Sequence, residues 1–219
     1  MIWVLGLAAL ILIVSIVLLT GSPQKSRTQQ LAELEKFLEG KSEPMDDTLD
    51  GVRIRFTYKG LPYAFEEVPD PGFSGKAYKG FLKLMTTTNF TMTFTERERS
   101  SKVQSSLITM AERTSDVEQQ KVRIDLPDAL QMFNVFTNNP KIANQLLHDR
   151  KLLEVFLKYK HVDASAYPSM SLRILNGVIT LEFHSMGSAK PKLSDVHTDK
   201  HVLDKYMNDL YTVAQQVKA

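Results

Sequence analysis

The chain contains no cysteine. That excludes disulfides, a thiolate nucleophile and the acylated-cysteine route to a membrane. It does not choose a compartment, since a reduced cytosol and a disulfide-free exterior both accommodate such a chain. A strong charge of one sign is also lacking: 27 basic residues stand against 25 acidic ones, for a net charge of +2. A nucleic-acid binder usually concentrates basic residues on one face, and near-neutrality speaks against that class. No polybasic block of the kind that presses a domain onto anionic lipid is present; Lys25-Ser26-Arg27 is only a stub of one. The ten glycines never fall at P-loop or dinucleotide-binding spacing. There is no Gly-x-Ser-x-Gly elbow, and no serine whose neighbours identify a base. At 43% hydrophobic and 24% charged residues, the composition is ordinary for a globular protein, which excludes wholesale disorder.

What is present is unevenly spread. Residues 2–20 read IWVLGLAALILIVSIVLLT, with no charge and only Gly6, Ser15 and Thr20 outside the apolar set. As a helix at about 1.5 Å per residue this run spans about 28 Å, close to the ~30 Å hydrocarbon core of a bilayer. A cleaved signal peptide would want a basic leading region, a shorter apolar run and a small-residue cleavage site. Here only the amino terminus precedes the run, and LLTGSP is a poor site. A core helix apolar on all sides would need a larger protein around it. The expectation is a single transmembrane helix over 1–21, a juxtamembrane linker and short helix over 22–48, and a soluble α+β domain over 49–219. Lys25, Arg27, Lys36 and Lys41 follow the span and no Lys or Arg precedes it, so the positive-inside rule puts the domain in the cytoplasm.

After the span, TQQLAELEKFLEG reads as a helix with Leu31, Leu34 and Leu38 on one face and Gly40 at its C-cap. KSEPMDD reads as a linker, which leaves that helix as either a stalk or a piece packed on the domain; three leucines are too few for a coiled coil. From residue 51 the hydrophobic period becomes two. Val52, Ile54, Phe56 and Tyr58 alternate with Arg53, Arg55 and Thr57, and Lys59-Gly60 turns the chain into a partner strand, LPYAFEEV. AYKGFLKLMTTT and NFTMTFTE read as further strands, the second with Phe90, Met92 and Phe94 on one side and Thr91, Thr93 and Thr95 on the other. Residues 97–120 show no period. KVRIDLPD and QMFNVFT read as strands. Asn139 ahead of Pro140 starts a helix with Ile142, Leu146 and Leu147 inward, and Asp149 caps a second with Leu152, Leu153, Phe156 and Leu157 inward. MSLRILNGVITLEF is a hairpin turning at Asn176-Gly177, and DKHVLDKYMNDLYTVAQQV closes the chain as a helix with Val202, Leu203, Tyr206, Leu210 and Val213 inward. The fold class is therefore α+β, a mostly antiparallel sheet packed by C-terminal helices.

The order of these features resembles a family of uncharacterised bacterial membrane-anchored α+β domains. The likeness rests on the aromatic core strand Phe133–Phe136, the following helix with Ala143 and the Leu146-Leu147 pair, the later hairpin and terminal helix, and the FTYKGLPYAFEE stretch, and covers roughly residues 50–215. It implies this architecture and a bacterial inner membrane. It implies no activity and carries over no catalytic residue.

Candidate chemistry is sparse. His197 and His201, four apart with Asp195, Asp199 and Asp204 nearby, could share a helix face and grip a metal. The strong form of that motif has Glu after the first His, where Thr198 stands; the plainer reading is solvated polar residues at a helix start. His148, His161 and His184 are scattered over a helix end, a loop and a strand end. Glu66 and Glu67 point to opposite faces of a strand, which disfavours paired acid–base work. Arg53 and Arg55 share the outer face of a strand, where they could meet a partner's carboxylates or simply face water. Asn89-Phe90-Thr91 matches a glycosylation sequon but falls inside an expected strand and on the cytosolic side. The expected role is a membrane-tethered interaction or accessory module with no assigned catalytic, cofactor or metal residue. Its expected partners are the bilayer through residues 2–20 and an unidentified protein, with no nucleic acid. A metal-dependent hydrolase or other enzyme using His197 and His201, or a small-ligand binder in the groove between sheet and helices, stays open.

Overall fold

A computed structural model of the chain describes residues 26–45, 50–69, 78–96, 120–121, 126–161, 169–184 and 200–217. The strands are β1 (Lys41–Pro44), β2 (Val52–Tyr58), β3 (Leu61–Pro69), β4 (Tyr78–Met85), β5 (Met92–Glu96), β6 (Gln120–Lys121), β7 (Phe133–Thr137), β8 (Lys160–His161), β9 (Ser169–Met170), β10 (Leu172–Leu175) and β11 (Val178–His184). The helices are α1 (Arg27–Leu38), α2 (Pro140–His148), α3 (Arg150–Lys158) and α4 (Lys200–Val217), with one 3-10 turn at Asp128–Leu130. The protein is α+β. Its main sheet has nine strands in the order β1-β2-β3-β4-β11-β10-β5-β7-β6, every pairing antiparallel, and β8 and β9 form a separate two-stranded ladder. Among the described residues no helix is long and apolar enough to cross a membrane, and the apolar run over 2–20 lies outside them.

The two hairpins follow from their turns. Lys59 (φ 51°) and Gly60 (φ 76°), and likewise Asn176 (φ 49°) and Gly177 (φ 75°), adopt the left-handed backbone that a two-residue hairpin turn needs. The first turn sets the register that faces Tyr58 with Leu61 and, counting back, Arg53 with Glu66. The second makes the β10–β11 hairpin, which slots between β4 and β5 and so becomes the middle of the sheet. Leu172, Ile174, Ile179 and Leu181 are all buried there. At Gly177 a side chain would also collide with the Thr88 carbonyl oxygen, and the glycine backbone itself bonds to Phe90 and Thr86.

The four helices of the described residues lie on one face of the sheet. There Ile54, Phe65, Leu82, Leu84, Ile174 and Met92 meet Leu34, Leu147, Phe156, Met207 and Leu210 in one continuous core. Phe94 packs edge-on against Phe133 at 6.0 Å and tilted against Phe156 at 5.6 Å, joining β5 and β7 to α3. The caps expected from sequence are in place. Asn139 accepts from the Ile142 amide ahead of Pro140, and Asp149 accepts from the amides of Lys151 and Leu152. On α4 the inward face is wider than the period suggested, since Met207, Asp209, Ala214 and Val217 are buried with Leu203, Leu210 and Val213, while Val202 and Tyr206 are half-buried.

Three expectations change. The segment after α1 is an edge strand, not a linker: Lys41–Pro44 pair with Arg55–Val52, and Leu34 and Leu38 are buried, so the helix and strand are built into the core. The left-handed C-cap of α1 is Glu39, not Gly40; glycine at 40 is required because a Cβ there would approach the Arg55 carbonyl oxygen and Ile54 Cγ2 to 2.7 Å. Thr91 does not face outward with Thr93 and Thr95. It is buried ahead of β5, where its hydroxyl accepts from the Asn176 amide at 3.0 Å. The patternless stretch 97–119 and residues 122–125 of the strand expected over 121–128 lie outside the described residues; of the rest, Lys121 belongs to β6, Leu126 and Pro127 lie in no strand, and Asp128 opens the 3-10 turn.

Candidate functional site

Three polar constellations organise the molecule. The first lies on the sheet face opposite the helices. Cross-strand register places Glu43 opposite Arg53 and Arg53 opposite Glu66, so charges from β1, β2, β3 and β4 form a ladder. Arg55 Nε donates to Glu43 at 2.7 Å, Arg53 Nε donates to Glu66 at 2.8 Å, and Lys83 closes the other Glu66 oxygen. Arg53 also reaches Glu43 at 3.5 Å. The hydrogen bond from Arg55 holds the Glu43 carboxyl below the usual carboxylate range. Glu66 is buried despite lying on this face, because the flanking cations fold over it. Arg53 and Arg55 thus meet carboxylates of their own chain, an outcome concealed in sequence by taking Glu43 for part of a linker.

The second constellation ties α3 to α4. Asp209, 6% exposed, accepts from Lys158 Nζ at 3.0 and 3.1 Å and from the Tyr159 hydroxyl at 2.7 Å. Tyr206 stands edge-on to Tyr159 at 5.7 Å. Burial, then the bond to Asp209, push the Tyr159 phenol far above the usual tyrosine range, and burial raises Tyr206 as well. Both Asp209 oxygens are engaged and the phenol is held protonated, so the arrangement is a polar clasp and offers neither a base nor a phenolate nucleophile. The period of α4 marked its apolar face but gave no sign of a buried aspartate.

The third fastens the start of the described chain. Ser26 caps α1 reciprocally with Gln29. Arg27 Nε then donates to the buried Glu67 at 2.7 Å, its guanidinium stacks 3.9 Å above the Tyr78 ring, and Nη2 donates to the Asp50 carbonyl at 2.8 Å. Glu66 and Glu67 do point to opposite faces, and each is engaged by different cations.

Among the described residues the other candidates are not brought together. His201 is exposed on α4; His197, Asp195 and Asp199 lie outside the described residues, as does a view of any pairing between them. Asp204 accepts from the Tyr58 hydroxyl at 3.1 Å and serves to dock the first hairpin on α4. Among the described residues no group of three His, Cys, Asp or Glu could hold a metal ion. His148 is exposed at the end of α2 with its Nδ1 at 3.0 Å from the Asn144 carbonyl. It borders an open groove of about 430 Å³ with Ile142, Gln145, Leu146, Asp149, Leu152 and Gln216. Asp149 caps α3 there, accepting from the Lys151 and Leu152 amides. His161 sits in β8, not in a loop, and His184 ends β11. Asn89 lies in the turn before β5, not within the strand, and is exposed, while Thr91 of the same sequon is fully buried.

Comparison with family models, with curated proteins and with solved structures finds no match to this chain.

Proposed function

We propose that this is a single-pass membrane protein, held by residues 2–20 in a bacterial inner membrane, whose cytoplasmic α+β domain acts as an interaction or accessory module. The observation that carries the reading is the uncharged run itself, which has the length and composition of a bilayer span. The clasp at Arg27 supports it from the other side. Only residues 21–25 separate the span from Ser26, and the helix starting there is fastened to the core, so the domain sits at the membrane and not on a free stalk. The resemblance to membrane-anchored bacterial domains belongs to the same proposal. No observation favours a metal-dependent enzyme over this reading.

The orientation is tested with protease on sealed vesicles. Inside-out vesicles should expose the domain to digestion, and right-side-out vesicles should protect it; the reverse would overturn the cytoplasmic assignment. The interaction role is tested by the native size of the protein extracted in mild detergent. A species larger than the lone detergent-bound chain is expected, and a monomer at every extraction condition would contradict the role.

A further inference from the structure

We infer that the helix-free face of the sheet rests on anionic lipid headgroups. The inference deepens the membrane-anchored reading and depends on it. Strand alternation gathers cations that the sequence scatters. Lys41, Arg53, Arg55, Lys79, Lys83 and Arg173 share this face with only three carboxylates whose positions the structure describes, Glu43, Glu66 and Glu182. Elsewhere among the described side chains cations and carboxylates balance at ten each, so the basic excess of the described side chains falls on this face.

Four of the six cations are held by those carboxylates; Lys79 reaches Glu182 at 3.7 Å. Lys41 and Arg173 are exposed and have no carboxylate partner among the described residues. Beside Arg173 in the same strand, Leu175 is 40% exposed, an uncommon state for a large apolar side chain in this domain. A basic excess interspersed with apolar side chains suits the headgroup boundary of a negatively charged leaflet, where each cation adds roughly 1 kcal/mol of attraction. No helix among the described residues covers the face.

The tether makes the contact possible. From Thr20 to Ser26 the chain can span at most about 20 Å when fully extended. That reach lets the sheet lie down on the membrane from which the span emerges, with the helices turned to the cytoplasm. A protein partner for the same face is the competing occupant, and the test separates the two.

The absence of cysteine allows single labels in the full-length protein. Leu175→Cys and Thr57→Cys report from the helix-free face, and Gln215→Cys, exposed on α4, reports from the helix layer. Each labelled protein is reconstituted into vesicles carrying an acceptor dye on a fraction of the headgroups. Energy transfer should be stronger from positions 57 and 175 than from 215 in phosphatidylglycerol-containing vesicles. The difference should be lost in pure phosphatidylcholine, and lost again in high salt, where the screening length falls to about 3 Å at 1 M. The double change Lys41→Glu with Arg173→Glu should abolish it while leaving the melting temperature unchanged. Equal transfer from both layers, or a difference indifferent to lipid charge, overturns the inference in favour of a protein occupant. Failure of the protein to float with vesicles of either composition would instead sink the anchor reading.

Discussion

The two faces of one sheet are built on opposite terms. On the inner face, Phe65, Leu82, Ile174 and their neighbours are sealed under the four described helices, and the two carboxylates buried there are held by Arg27 and Lys158, which keep 31% and 43% of their side-chain exposure, Asp209 also by the Tyr159 hydroxyl. The outer face has no such apolar layer over it among the described residues, and its charges run in rows across β1 to β4; Arg53 and Lys83 keep 27% and 31% of their side-chain exposure around a carboxylate at 5%. Inner-face stability therefore comes from burial and packing. Outer-face order comes from cross-strand charge pairs, each of modest worth because its partners can turn to solvent.

The largest expected effect is on the inner face. Phe65→Ala removes a fully buried ring and should cost about 3–5 kcal/mol, against roughly 1 kcal/mol for Phe81→Ala on the outer face, measured by urea denaturation. Equal losses would break the contrast. Next come two of the three buried carboxylates among the described residues, one from each face. Asp209→Ala leaves the Tyr159 hydroxyl buried without its acceptor and should cost about 2–3 kcal/mol, whereas Glu66→Ala frees two half-exposed cations and should cost about 1 kcal/mol. A larger loss at Glu66 would mean that the outer face is as closed as the inner.

The faces should also part company in pH. Tyr63, Tyr159 and Tyr206 on the helix side all have their phenols raised, chiefly by burial. Unfolded tyrosines ionise near pH ~10, so the stability these groups lend is intact below that value and is lost as pH climbs above it. Near-ultraviolet absorbance should show them ionising only as the domain unfolds, and early ionisation of all tyrosines together would contradict the packing described. The smallest effect is acidic. Glu43 is lowered by Arg55, so its contribution is present above about pH 4.3 and fades as pH falls through its depressed folded value. Glu43→Gln should flatten the acid limb of the stability profile slightly and leave the alkaline limb untouched.

Much of the fold was legible because it is written in local rules. Two left-handed turns, two N-caps and clean period-two strands are signals within a few residues, and they placed both hairpins and the helices α2 and α3. Long-range choices were not. Nothing around Asn176 announces that its hairpin inserts between β4 and β5, because that depends on which edge the whole C-terminal half meets. KSEP looked like a linker since a four-residue edge strand with an exposed proline has almost no pattern of its own. The polar constellations were hidden for the same reason. Arg53 and Glu66 are neighbours through the Lys59-Gly60 register, which the sequence did contain, but Lys158 and Asp209 are 51 residues apart and joined only by helix packing. The charge excess of the outer face was invisible as a run, because alternation spreads it across β1, β2, β4 and β10.

Alkaline carbonate extraction, applied side by side to the full chain and to one beginning at Ser26, is the most direct test of the membrane reading. The full chain should stay in the membrane pellet. The shortened one, which keeps the α1 cap and the Arg27 clasp, should pass into the supernatant folded. Release of the full chain by carbonate, or a mature N-terminus near residue 22, would contradict the account.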